Sequence, residues 1–189
     1  MRLFLAINLP IDVRREVAAA TAGLRQCAPD LMWVDEPRLH LTLKFLGEQP
    51  AERLDDIQGA IASVAGRHRE LLMSMGGIGA FPNFRRARVV WMGVTHEPRL
   101  ELLHHDVEIA CERLGFALDG RPFRPHLTLA RVKHPVDEDR ARMLSRAAKQ
   151  TDYRTDFIVR SIDLMQSDPS ASGEGPRYTT LVSAALRSD

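Results

Sequence analysis

The tetrapeptide His40-Leu41-Thr42-Leu43 returns later in the chain as His126-Leu127-Thr128-Leu129, and each copy follows a strand-then-helix stretch and a proline, Pro37 or Pro125. Successive side chains of a strand point to opposite faces, so His40 and Thr42 share one face while Leu41 and Leu43 share the other. The same holds for His126 and Thr128. Each copy can then bury its leucines against a helix layer and present an imidazole and a hydroxyl on the far side. A repeat of this kind predicts two related halves whose polar strand faces meet at one cleft.

The flanking sequence predicts the elements around these two strands. Leu3 to Leu9 reads as a strand, and Pro10 with Asp12 opens a helix whose apolar stripe is Val13, Val17, Ala20 and Leu24. Trp33-Val34 is a short extended piece before the break at Pro37, and the strand from His40 to Leu46 ends at Gly47. Leu54, Ile57 and Ile61 place a second helix from about Ala51 to Val64, and Leu71 to Met75 reads as a strand. Gly76, Gly77 and Gly79, with Pro82 and Asn83, predict a turn-rich loop ahead of the β-type run Arg88 to Met92. Leu100, Leu103, Val107, Ala110 and Leu114 mark a third helix, closed by Gly115. Then follow the strand His126 to Val132, a helix over Asp139 to Lys149, and two strands near Phe157 to Gln166 and Tyr178 to Leu186. The loop between the last two, Ser167 to Pro176, is rich in Gly, Ser and Pro. Several strand pairs have connections too short for a parallel crossover, which predicts an α+β fold with largely antiparallel sheets. No linker or low-complexity tract divides residues 1–189, so one domain is expected.

Composition narrows the function classes. The 26 basic and 25 acidic residues leave a net charge of +1, so no global positive field favours long nucleic acid and any RNA contact should be local. The chain is 44% apolar and 27% charged, which is ordinary for a soluble globular protein and argues against disorder. Cys27 and Cys111 stand outside any CxxC pair, in keeping with thiols in a reducing cytosol. Met1 to Pro10 lacks the ordered features of a secretion signal, and no run of about 18 uncharged apolar residues exists to span a membrane. The expectation is a soluble cytoplasmic monomer, with no membrane and no obligate protein partner.

Histidine, with a reference pKa of about 6.5, serves as acid or base near neutrality. Two imidazoles in opposite protonation states on either side of a phosphate can activate a water and protonate a departing oxygen without a metal. Threonine hydroxyls beside them can donate to non-bridging oxygens, where charge sits in the transition state. One isolated His-x-Thr is ordinary strand sequence; its duplication in matching contexts is what points to shared chemistry.

These residues resemble the signature of the two-histidine (2H) phosphoesterase superfamily, whose members carry two His-x-Thr/Ser-x motifs on strands of two pseudosymmetric lobes. Further stretches resemble its bacterial and archaeal branch, the RNA 2′,3′-cyclic phosphodiesterase or 2′-5′ RNA ligase family: Arg2 to Ala6, Trp33-Val34 running into Leu39 to Gly47, Gly79-Ala80-Phe81-Pro82, Val90-Trp91, Phe123 to Arg131, and Gly175-Pro176-Arg177-Tyr178. The resemblance implies two lobes, each an antiparallel sheet with helices on its outer face, and a cleft between them. It implies cofactor-free hydrolysis of a 2′,3′-cyclic phosphate RNA end to a 2′-phosphomonoester, with His40 as proton donor to the 3′-oxygen and His126 as acceptor from water. ATP-independent 2′-5′ joining of tRNA halves is the implied secondary activity. The tetrapeptides are identical, so the residues themselves do not fix which histidine is the acid.

Thr42 and Thr128 are the first candidates to hold phosphate. Arg131 is a further one, although strict alternation sets it opposite His126 unless the strand bulges. Alternation sets Lys44 beside His40 and Thr42 as a candidate RNA contact and sends Phe45 to the core. Phe81, Phe84 and Tyr178 lie near Gly- or Pro-rich loops where they could stack a base, and Arg85, Arg86 and Arg88 lie beside that loop. His104, His105 and Asp106 invite a metal reading, but neighbours on a helix diverge by about 100°. His68, His96 and His134 look like surface or turn residues, and the glycines lack the ending of a P-loop. Against RNA-end hydrolysis stand three rivals: a 2H activity on a small cyclic nucleotide, a non-catalytic RNA-binding module, and a zinc hydrolase.

Overall fold

The computed structural model describes residues 1–169 and 175–188. Its strands are β1 (Arg2–Asn8), β2 (Met32–Trp33), β3 (His40–Glu48), β4 (Leu71–Phe81), β5 (Val89–Val94), β6 (His126–Arg131), β7 (Arg154–Val159), β8 (Ser161–Asp168) and β9 (Arg177–Ala185). The helices are α1 (Ile11–Ala20), α2 (Ala22–Cys27), α3 (Leu54–Ala65), α4 (Pro98–Arg113) and α5 (Glu138–Gln150). The strands form one sheet in the order β7-β4-β5-β6-β3-β1-β8-β9, with β2 also on β6, and every pairing between named strands is antiparallel. The fold is α+β.

The sheet has two matching halves, β7-β4-β5-β6 and β3-β1-β8-β9, whose inner strands meet at the pair Leu41/Leu127. Each half places one tetrapeptide on its inner strand, and the leucines Leu41, Leu43, Leu127 and Leu129 are all buried. They join a core with Leu3, Leu5 and Ile7 of β1, Ile57 and Ile61 of α3, and Leu100, Leu103 and Val107 of α4. A second cluster, with Leu24, Leu31, Val90, Ala130, Leu144 and Ala148, seats α2 and α5 on the other half. Among the described residues no helix is long and apolar enough to cross a membrane.

Four sequence expectations are corrected by the structure. The first helical stripe is split at Thr21, whose hydroxyl donates to Val17 O at 2.8 Å and so competes for the backbone acceptor of the last turn. The glycines at 76, 77 and 79 form strand, not loop. Gly77 takes φ 70° at a register shift, and a Cβ on Gly79 would run into the Trp91 ring. The turn itself comes later, where Asn83 Oδ1 accepts from Arg86 N at 3.1 Å. The run near Phe157 to Gln166 is two strands parted at Arg160, with β7 on β4 and β8 on β1, because the chain crosses there from one half of the sheet to the other. Ser167 and Asp168 belong to β8, and residues 170–174 of the expected loop lie outside the described residues.

The fourth correction concerns alternation within the two motif strands. β3 and β6 share one burial pattern over their first six residues: half-buried, buried, half-buried, buried, buried, exposed. Leu43 is the extra residue where β1 shifts register, since Leu5 faces Lys44 and Ala6 faces Thr42. Leu129 is its counterpart, since Val90 faces Ala130 and Trp91 faces Thr128. Each bulge turns the following side chains over. Lys44 therefore goes to the core side, where it is 5% exposed, and Phe45 emerges on the His40 side, where it is 64% exposed.

Candidate active site

The pair Leu41/Leu127 sits at the centre of the site. Continuing its antiparallel register sets His40 opposite Thr128 and Thr42 opposite His126, and all four side chains are half-buried on the face away from the leucines. Each imidazole is held in the same way. His40 Nδ1 lies 2.7 Å from Arg38 O, and His126 Nδ1 lies 2.7 Å from Arg124 O. A carbonyl oxygen only accepts, so each Nδ1 carries a proton and leaves Nε2 as the nitrogen free for chemistry. His40 Nε2 stands 3.1 Å from Thr42 Oγ1.

Each ring also has an aromatic edge against it. Tyr178 meets His40 at 5.2 Å and 87°, and Phe81 meets His126 at 5.1 Å and 89°. Phe4 backs His40 at 5.0 Å, and Trp91 backs Phe81 at 5.0 Å. Aromatic surface thus packs against each imidazole.

The bulge at Leu129 brings Arg131 round to the cleft face, overturning the placement that strict alternation gives. With His40, Phe4, Phe45 and Tyr178 it lines a cavity of about 720 Å³. A smaller cavity of about 420 Å³ adjoins His126 and is lined by Phe81, Trp91, Phe123 and Arg124. Burial holds the His40 imidazole below its ordinary pKa; the Arg38 carbonyl works the other way, and the Arg131 guanidinium lowers it again.

Two candidates are not brought to the site. Lys44 pairs with Glu108 at 2.7 Å on the core side, so its ammonium is spent away from the cleft. Phe84 packs against the second core cluster and borders a cavity of about 1000 Å³ beneath α5, together with Arg85. Arg85, Arg86 and Arg88 are exposed around the turn. His104 of α4 is engaged elsewhere, stacking on Phe123 at 3.7 Å and 9°, and Asp106 accepts from His68 at 2.9 Å. Sequence reasoning missed Phe45 at the cleft, because its apolar character fitted the core side of an unbroken alternation. Phe4 and Trp91 were likewise not singled out as supports of the imidazole pair. The repeat pairs Phe45 with Arg131 of the other copy, but both reach the cleft side only because the bulges turn the strands over.

Fold and site together have the form of a two-histidine protein, with one His-x-Thr on the inner strand of each half-sheet. The chain belongs to the 2′-5′ RNA ligase superfamily, whose family model matches residues 10–171. A protein of Thermus thermophilus named RNA 2′,3′-cyclic phosphodiesterase is 32% identical, with the match covering 100% of this chain and 92% of that one. A Geobacillus stearothermophilus protein of the same name is 31% identical over 97% of this chain, which spans 56% of that relative's length. The crystal structure of the Thermus thermophilus protein TT0787 superposes with a TM-score of 0.80 at 30% identity, and the match covers 100% of both chains.

Proposed function

We propose that the protein is an RNA 2′,3′-cyclic phosphodiesterase that opens the cyclic phosphate at an RNA end by acid–base catalysis with His40 and His126. The observation that carries this reading is the matched pair of Nδ1 bonds on two paired strands, which directs proton transfer to Nε2 of each ring. His126 Nε2 accepts a proton as water attacks phosphorus. The bond from phosphorus to the 3′-oxygen breaks, and His40 Nε2–H protonates that oxygen, leaving a 2′-phosphomonoester. Thr42 and Thr128 donate to the non-bridging oxygens, and Arg131 offsets their charge. Burial and Arg131 favour neutral His40 in the free protein, so His40 becomes the donor once an anionic phosphate lies beside it.

Phe45, Phe81 and Tyr178 offer rings for the terminal bases. A ribose 5′-hydroxyl in place of water gives 2′-5′ joining of tRNA fragments at the same site. The two half-sheets act as one domain in a cytoplasmic monomer, a setting that suits the two free thiols Cys27 and Cys111. The test is incubation with an oligoribonucleotide ending in 2′,3′-cyclic phosphate, EDTA present, for wild type, His40→Ala and His126→Ala. A 2′-phosphate formed by wild type alone is the expected result; no turnover by wild type, or full activity in both variants, would overturn the reading.

A further inference from the structure

Lys44 and Glu108 form an ion pair at 2.7 Å with side chains only 5% and 9% exposed. Removing two charges from water costs more than their attraction restores unless further hydrogen bonds complete the group. Here those bonds all go to one loop. Lys44 Nζ donates to Ala117 O at 2.9 Å, and Asp119 N donates to Glu108 Oε2 at 2.8 Å. The loop leads from the end of α4 into β6. A second hold comes from His104, one turn before Glu108 on α4, whose ring stacks on Phe123 at 3.7 Å and 9°. The next residue, Arg124, supplies the carbonyl that accepts from His126 Nδ1 at 2.7 Å. One bonded path therefore joins β3, which carries His40, through α4 to the segment that aims His126.

We propose that Lys44 and Glu108 are positioning residues for His126. They fix residues 117–124 so that the Arg124 carbonyl holds the imidazole with Nε2 toward the cleft, and they tie that placement to the strand bearing the other histidine. This rests on His126 acting in the reaction proposed above. Pinning a reacting group matters because a misplacement of about 1 Å can cost about a hundredfold in rate. The bulge at Leu43 makes the brace possible, since it turns Lys44 away from the cleft and onto α4.

The test compares wild type with Lys44→Met/Glu108→Leu, an apolar replacement of a kind that buried ion pairs often tolerate. The expected variant melts near the wild-type temperature, and its kcat on the cyclic-phosphate oligonucleotide is roughly 10- to 100-fold lower with KM little changed. In 1H–15N spectra its His126 Nδ1–H signal broadens through faster exchange, while that of His40, bonded to Arg38 O, persists. A folded variant with wild-type kcat and an unaltered His126 signal, or one in which both histidine signals change alike, overturns the proposal. Should the double variant not fold, Glu108→Gln keeps the side-chain shape and an acceptor for Asp119 N–H while weakening the bridge. Selective broadening of His126 there supports the proposal; both signals intact or both lost sinks it. The spectra need no turnover, so an inactive wild type would remove the proposed reaction while the positioning of His126 is still decided by its own signal.

Discussion

His40 and His126 are aimed by the same hydrogen bond but sit in different surroundings, and the difference is measurable. Burial and then Arg131 hold His40 below the ordinary imidazole value of 6.5, with the Arg38 carbonyl acting against them. An NMR titration of the free protein should place its midpoint below 6.5. Arg131→Ala should move the midpoint upward without restoring the ordinary value, because burial is the larger cause. Bound phosphate should raise it by favouring the imidazolium. With His40 as donor, kcat/KM falls as pH rises through its lowered free-protein pKa, and kcat, which reports the complex, holds to higher pH. A midpoint at or above 6.5 in the free protein would contradict this account. Phe45 makes a second prediction at this scale. Its ring is 64% exposed beside His40, so Phe45→Ala should leave the melting temperature nearly unchanged. It should weaken oligonucleotide binding by about 1–3 kcal/mol if the ring stacks a base; titration with a 2′-phosphorylated oligonucleotide measures this, and unchanged affinity rejects the stacking role.

Among the elements, the inner strands β3 and β6 show what a periodic pattern conveys and what it hides. The alternation over His40 to Leu43 and His126 to Leu129 is a property of the chain, because leucines one face apart from polar side chains bury only as a strand. The bulges at Leu43 and Leu129 are properties of pairing, fixed by how β1 and β5 lie alongside. No local feature separated Lys44 from Phe45, and the true placement sends the cation inward and the ring outward. The glycines of β4 misled for a related reason. Gly79 is required by the Trp91 ring lying across it from β5, a contact between distant residues, and turns favour the same residue type. Gly79→Ala should therefore destabilise by about 1–3 kcal/mol through overpacking. Chemical denaturation followed by tryptophan fluorescence checks it, and an unaffected midpoint would mean that the ring can move aside.

For the whole molecule, the two half-sheets share a core, since Leu41, Leu43, Leu127 and Leu129 all belong to one cluster with residues of α3 and α4. The protein should accordingly unfold in one transition, with far-ultraviolet circular dichroism and fluorescence curves coinciding; two separated transitions would show that the halves are independent. Short connections between strands determined the α+β class, and the duplicated tetrapeptide singled out the two histidines and their threonines as candidates, because strand periodicity and the chemistry of imidazole are local and the sequence states them twice. Only the tertiary structure decided which aromatic rings flank each histidine, that Arg131 and Phe45 face the cleft, and that Lys44 is buried against Glu108. Those outcomes depend on register between strands far apart in sequence, and a shift of one residue there exchanges the two faces of a strand without altering a single residue in it.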